Sequence, residues 1–259
     1  MGEIEFRGEG ALDSANALIT NDLKRIADGQ AVYAGLLNHQ GGFVDDVVAY
    51  RFSPERILIC VNASNREKDF AWMVENSPRR AARQPERRLR PARHPGPEGG
   101  GHRPAADPDS AGRRSPPTTS GKARWPACRC IISRTGYTGE DGFELYCPPE
   151  RAERLWNALL EAGSGDGLQP RRAGRADTLR TEMKYALYGN DIDDATHAAG
   201  GGAGLDRQVG QGRVRRSPRA RRAEGARACR RKLVGFEMRE AGIPATATRW
   251  PRTASRWVR

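Results

Sequence analysis

Large apolar side chains are almost missing from residues 79–127. That stretch holds one Leu and one Trp, has no Ile, Val, Phe, Tyr or Met, and is rich in Arg, Pro, Gly and Ala. A segment of this composition cannot bury enough apolar surface to offset the entropy that a chain loses on folding. Residues 197–232 and 245–259 are also Arg-rich and poor in large apolar residues. The core must therefore come from residues 1–78, 131–194 and a short piece at 233–244.

The same three blocks hold the net positive charge. The whole chain has a formal charge of +12, yet the residues outside the blocks are net acidic. A basic tail usually contains Lys and lies at a terminus, whereas the longest block has sharp edges and lies between patterned segments. We interpret the blocks as products of a reading-frame shift in a GC-rich gene. Genuine Arg-rich linkers are the alternative interpretation.

Further limits come from patterns that the sequence lacks. No run of about 18 apolar residues is present, so no membrane span is expected. The opening MGEIEFRGEG lacks a secretory signal pattern, which favours a cytoplasmic protein. The five cysteines form no CxxC pair, so we expect neither a disulfide framework nor a metal site.

The first 78 residues predict a compact α+β unit. Two short helices within residues 11–28 come before the runs AVYAGLLN and FVDDVVAYRF, which flank a glycine-containing turn and predict a hairpin. A third strand, ILICVN, leads into a helix that Asn62 or Ser64 could cap.

Two neighbouring acids lie on the second strand of this hairpin. Because strand side chains alternate, Asp45 and Asp46 point to opposite faces, and we expect only one of them to point inward. An inward carboxylate is costly unless it is paired or binds something. The simpler alternative is that both acids end the hairpin, and that Asn62 is only a helix cap.

The segment IISRTGYTGEDGFELYC predicts two strands around a glycine-rich turn. Tyr137 in the turn and Glu144 on the following strand could project into a common space, although a packed turn aromatic is the simpler explanation of Tyr137. An amphipathic helix begins near Pro149 and ends at Gly163, and DTLRTEMKYALYGNDID begins as another helix. Arg180 in that run is most simply explained as a solvated or locally paired side chain.

Five fragments together resemble one family. They are ITNDLKRIADGQAVYAGLLNHQGGFVDDVVAYRF, VNASNREKD, RTGYTGEDGFELY, DTLRTEMKYALYGNDID and KLVGFEM with AGIP. In order and spacing they are similar to the aminomethyltransferase of the glycine cleavage system, its T protein. The resemblance covers residues 1–78, 131–162, 177–194 and 233–244, and it fails in the compositionally unusual blocks.

The resemblance implies a fold, a reaction and a partner. The fold is an α+β, folate-binding fold of antiparallel sheets with packed helices, here with an incomplete C-terminal β-barrel. The enzyme takes an aminomethyl group carried on the lipoyl arm of the H-protein, transfers the methylene to the co-substrate tetrahydrofolate, and releases ammonia. No metal or redox cofactor, no membrane and no specific nucleic acid are implied.

By position in the family's motifs, Asp46 matches the central catalytic acid. Tyr33, Asn62, Tyr137 and Glu144 match positions that line the folate pocket. In the family an Arg directly precedes the Asp of the DTLR run, whereas this chain has Ala there and Arg175 one residue earlier. We keep Arg175 as a candidate binding residue, although one residue turns a helix by about 100°.

The resemblance also implies an order of domains and a truncated chain. Residues 1–78 and 131–194 would form two α+β parts of the folate-binding domain, and 233–259 a remnant of the C-terminal barrel. The segments 79–130 and 195–232 are predicted to be disordered. The family's segment upstream of the first motif and most of its barrel are expected to be missing.

Three rival interpretations stay open. The chain could be another folate-binding relative, such as a domain of a sarcosine- or dimethylglycine-oxidising enzyme or a folate-dependent repair protein. It could be an inactive, frameshifted product. It could also bind nucleic acid non-specifically through RVRRSPRARR, which would neutralise phosphates and give strongly salt-dependent binding.

Overall fold

In the computed structural model, residues 1–78 and 130–196 are described in full. For residues 82–83, 90–95, 120–125 and 128–129 only the backbone is described. The strands are β1 (Gly2–Arg7), β2 (Gln30–Leu37), β3 (Phe43–Ser53), β4 (Arg56–Val61), β5 (Ala82–Arg83), β6 (Arg90–Pro95), β7 (Ser120–Trp125), β8 (Cys128–Ser133) and β9 (Gly142–Cys147). The helices are α1 (Ala11–Leu18), α2 (Arg66–Asn76), α3 (Ala152–Ala162) and α4 (Ala173–Glu182).

The first sheet is antiparallel, with the strand order β2-β3-β4-β1-β5. The predicted hairpin is present as β2 and β3, and the predicted third strand is β4. Helices α1 and α2 cover one face of this sheet, where Ile4, Phe6, Val47 and Met73 are part of one buried cluster. This cluster is the main core of the first 78 residues.

A second antiparallel sheet has the order β6-β9-β8-β7. Its side chains Ile131 and Tyr146 join Tyr50, Leu58 and Cys60 of the first sheet in another buried cluster. The second sheet therefore covers the face of the first sheet that the helices leave open. Strand β6, which contains two prolines, lies at an edge of the sheet, the position in which strands tolerate proline.

Helix α3 packs through Leu155 on Cys130, Leu145 and Cys147 of the second sheet, as its amphipathic pattern predicted. After α4, residues 185–196 run back to the β2–β3 turn. There Phe43 packs with Ala186 and Ile192, and the Phe43 N–H donates to the carbonyl of Asp193. This return segment brings the end of the described chain beside the hairpin.

The predicted fold class is confirmed: antiparallel sheets with packed helices, and no closed barrel among the described strands. Residues 197–259 lie outside the described part of the chain, so the predicted barrel remnant and most of the predicted disordered segment 195–232 lie there too. Within 79–130, backbone is described for short strands, and the other residues lie outside the description. In the described ranges, no helix is long and apolar enough to cross a membrane.

Candidate functional site

The candidate site begins on the β2–β3 hairpin, where the register fixes which side chains are neighbours. Gly35 pairs with Asp46 and Tyr33 with Val48, so Tyr33 is the diagonal neighbour of Asp46 on one face of the sheet. The Tyr33 hydroxyl donates to Oδ2 of Asp46 at 2.9 Å. A Cβ on Gly35 would meet the Phe43 ring at 2.9 Å, so a glycine opposite Asp46 lets that ring pack closely.

Both acids of the Asp pair are buried, which corrects the expectation that only one would point inward. Asp45 is 0% exposed and Asp46 is 9% exposed. They do point to opposite faces, but helices cover one face of the sheet and the second sheet covers the other. An interior position on either face is therefore shielded from water, and neither acid merely ends a hairpin.

Burial raises the pKa of Asp46 to about 6, and the negative charge of Asp45 adds to the effect. Hydrogen bonds from Tyr33 and Asn62 act in the opposite direction. The Asp46 carboxyl therefore changes its charge just below neutral pH. Burial and the neighbouring Asp46 also raise the pKa of the Tyr33 phenol, so this phenol stays protonated as a donor.

Asn62 joins the two acids. Its Nδ2 donates to Oδ1 of Asp45 and to Oδ1 of Asp46, each at 2.9 Å, and its backbone N–H donates to Oδ2 of Asp45 at 2.9 Å. The Asn65 amide adds a fourth bond, to Oδ1 of Asp45 at 2.8 Å. The side chain of Asn62 makes no capping bond to the following helical turn, so the alternative of a simple helix cap is wrong.

Tyr137 lies close to this cluster, beside the start of the return segment. Its hydroxyl donates to the carbonyl of Ala186, and its ring stacks on Tyr185 with the ring centres 5.9 Å apart. Tyr33 packs against the buried cluster that contains Ala186, the residue whose carbonyl accepts from Tyr137. Tyr33 and Tyr137 therefore lie in one region of the molecule.

Glu144 belongs to a second polar group on the same covered face of the first sheet. Thr135 donates to its Oε2 at 2.5 Å, and the Tyr146 hydroxyl lies 3.5 Å from the same oxygen. Tyr146 in turn bonds Tyr50 of β3 at 2.7 Å between the hydroxyl oxygens. Tyr50 lies four residues after Asp46 on the same face of β3, which places the Cα atoms of these two residues roughly 13 Å apart along the strand.

The last candidate, Arg175, is exposed on α4 and takes no part in the contacts described above. Arg180, five residues closer to the return segment, is 6% exposed instead. It donates to Asp177 at 2.7 Å, to Asp191 at 2.6 Å and to the carbonyl of Tyr185 at 3.1 Å. Arg180 is therefore a buried link between α4 and the return segment: of the two expected states, the local pairing is present, with Asp177, and the solvated side chain is not.

Sequence reasoning missed the residues that hold the candidates in place. They are Asn65, Asp69, Thr135, Tyr50 and Tyr146. Asp69 carried a signal, because it is a charged residue within the apolar stripe of α2 that includes Met73. The others depend on how the two sheets pack, which no local pattern shows.

Comparison with known proteins places this arrangement in a family. The model of the GCVT N-terminal domain matches residues 1–211. The aminomethyltransferase of Desulfitobacterium hafniense is 38% identical to this chain over 255 residues. The alignment covers 94% of this chain and 67% of that enzyme. The aminomethyltransferase of Halothermothrix orenii is 38% identical over 252 residues, covering 94% and 68% respectively.

A solved structure agrees with these relatives. The glycine cleavage system aminomethyltransferase T from Bartonella henselae superposes with a TM-score of 0.62 at 26% identity. The match covers 76% of this chain and 52% of that one, so the chain spans about half the length of the solved protein. With its match to the family model and its 38% identity to curated relatives, the chain belongs to the GCVT family of glycine cleavage aminomethyltransferases.

Proposed function

We propose that this protein transfers the methylene of an aminomethyl group, carried on the lipoyl arm of an H-protein, to tetrahydrofolate with release of ammonia. The observation that carries the proposal is the buried Asp46 carboxyl, held by donors from Tyr33 and Asn62 on the covered face of the first sheet. Family membership supplies the reaction class, and the site supplies a group suited to it.

Asp46 would stabilise positive charge during the transfer. Two folate nitrogens form bonds to the methylene carbon, its bonds to sulfur and to the amine break, and the two folate protons end on the thiol and on ammonia. Positive charge develops on the nitrogens as these bonds form. A fixed carboxylate in a site with little water stabilises such charge more strongly than water does. Since the pKa of Asp46 is raised to about 6, most of the carboxyl is ionised at neutral pH.

The remaining candidates would bind and orient the folate. Glu144 would accept hydrogen bonds from the amino and ring N–H groups of the pterin, because an ionised carboxylate only accepts. Thr135 already fixes the direction of that carboxylate. Tyr33 and Tyr137 offer ring faces, and holding the pterin against Asp46 would turn the encounter into a pre-oriented one. Arg175 is exposed on α4, so it would contact the substrate only if the bound substrate reaches that helix.

The domain organisation remains part of the proposal. The two fully described ranges would be two parts of one folate-binding domain, and residues 233–259 would belong to the C-terminal barrel. Placement in the cytoplasm and the absence of a metal requirement also stay predictions.

An ammonia-release assay tests the proposed function. Purified protein is mixed with aminomethylated H-protein, with and without tetrahydrofolate, and ammonia is measured over time. We expect rapid release only when both substrates are present. Release that needs tetrahydrofolate but not the H-protein would favour another folate-binding relative. A thermal melt with tetrahydrofolate serves as the control for folding, since a ligand that binds only the folded state raises the midpoint.

A further inference from the structure

Asp69 is a second buried acid beside the site, and no step described above uses it. It lies on α2, one turn after Asn65, and is 0% exposed. Neither of its oxygens receives a hydrogen bond from an N–H or O–H group among the described residues. Burying a charged carboxylate without donors is strongly unfavourable, so such a group is expected to be neutral.

The neighbours of Asp69 explain where its proton points. Asp45 faces it from β3, the charge of Asp46 acts from the opposite face of that strand, and Lys68 is the nearby cation on its own helix. Burial raises the pKa of Asp69 to about 9, and a hydrogen bond to Asp45 is the next cause. Two carboxyls can share such a bond only if one of them carries a proton.

Asp45 is the acceptor of that pair. It already accepts from the backbone and side chain of Asn62 and from the side chain of Asn65, so its two oxygens are acceptors in three hydrogen bonds. Asp69 has no comparable donor. The proton of the pair therefore belongs on Asp69, whose O–H group completes the set of donors around Asp45.

We propose that Asp69 is a protonated positioning residue, which donates to Asp45 and so holds Asn62 against Asp46. The chain of contacts runs from Asp69 through Asp45 and Asn62 to the carboxyl that the proposed function uses. The role of this chain of contacts in the transfer reaction rests on the proposed function. The protonation state and the coupling are properties of the folded protein alone, and they can be measured without substrate.

The first arm of the test follows carboxyl carbons by carbon-13 NMR in protein labelled at Asp, with the Asp69 signal assigned by its loss in Asp69→Asn. We expect the Asp69 carboxyl to stay protonated at neutral pH and to titrate near pH 9. A midpoint below about pH 5, close to the ordinary range for Asp, would overturn the proposal.

Urea unfolding gives an independent readout of the same proton. Above pH 3.8, the ordinary pKa of Asp, the unfolded state releases a proton that the folded state keeps on Asp69. The stability linked to Asp69 is therefore full below pH 3.8. It is lost as pH rises towards 9. Relative to Asp69→Asn, the folding constant of the wild type should fall by up to about tenfold per pH unit within this window. The exposed residue Glu75, on the same helix, gives the control Glu75→Gln, for which no such slope is expected.

The second arm tests positioning. Asp69→Leu and Asp69→Ala remove the donor to Asp45, so the negative charge of Asp45 is less well balanced. Because that charge raises the pKa of Asp46, the NMR midpoint of Asp46 should move upward. Asp69→Asn keeps a donor and should leave that midpoint within a few tenths of a pH unit of the wild type. A lower Asp46 midpoint in Asp69→Asn would mean that Asp69 was charged, and an unchanged midpoint in both donor-free variants would overturn the positioning role. If the transfer assay failed while these results held, only the proposed function would be lost.

Discussion

At the scale of single residues, Asp46 is subject to two opposing requirements. Its pKa is raised from the ordinary 3.8 to about 6, so the stability linked to it is full below pH 3.8 and is lost as pH rises through 6. The proposed chemistry needs the ionised form, which dominates only above pH 6. Activity should therefore rise over the same pH range in which this acid makes the fold less stable.

Tyr33→Phe tests how the site sets this balance. The Tyr33 hydroxyl lowers the pKa of Asp46, so its removal should move the acid limb of the activity profile to a pH above 6. The ring is kept, so any change in folate stacking should be small. The measurement is the rate of ammonia release against pH. The control is Tyr188→Phe, which alters a ring that packs on Lys68 instead; an equal shift in both variants would contradict the role of Tyr33.

The sequence pointed to Asp46, Tyr33 and Asn62 as candidate site residues through the family motifs, and the structure joins these three by hydrogen bonds. The sequence could not predict that Asp45 is equally buried. Alternation along a strand tells which face a side chain takes, but not that both faces of the sheet are covered. Asn65 and Asp69 were missed for the same reason, since their partners lie on another element.

At the scale of elements, the β2–β3 turn is built to receive the return segment. Asn38 donates to the carbonyl of Asp194, and its own side-chain oxygen accepts from Gln40 and Gly42. A Cβ on Gly42 would collide with the carbonyl of Asp194, which is backbone and cannot rotate away. A glycine at this position is therefore required for close approach of the two segments.

Gly42→Ala should push the return segment away from the hairpin. Overpacking against backbone costs about 1–3 kcal/mol, and we expect a loss of stability of that size in urea unfolding. Gly136→Ala is the matched control, because a Cβ there would meet nothing within 4 Å. Equal stability of the two variants would show that residues 193–196 do not rest on the turn.

Most elements of the first 78 residues follow from local pattern, and so does α3. The hairpin, β4 and α2 were predicted from alternation, turn residues and helical spacing. Strand β1 was missed, although Ile4 and Phe6 alternate with Glu3 and Glu5 in GEIEFR. Glu3 and Glu5 are buried as well, so the strand does not show the usual division into an apolar and an exposed face. Glu5 tolerates burial because Arg7 and Arg56 pair with it at 2.7 and 2.6 Å.

At the scale of the whole molecule, the comparisons extend further than the motifs. The motifs cover four stretches, whereas the family model matches residues 1–211 and relatives align over 94% of the chain. The alignments therefore also run through the Arg-rich block at 79–130. The frameshift interpretation of that block stays a prediction, and several independent clones with an unchanged reading frame would remove it.

The central claim is that a buried carboxylate at position 46 stabilises the positive charge that develops during the transfer, and Asp46→Asn tests it most directly. Asn keeps the shape and removes the charge, so the variant should retain its fold and its thermal shift with tetrahydrofolate. Its rate of ammonia release from aminomethylated H-protein should fall by about 10²–10³-fold, the usual loss when one preorganised electrostatic group is removed. A folded Asp46→Asn protein that releases ammonia within about twofold of the wild type, far inside that range, would contradict the account.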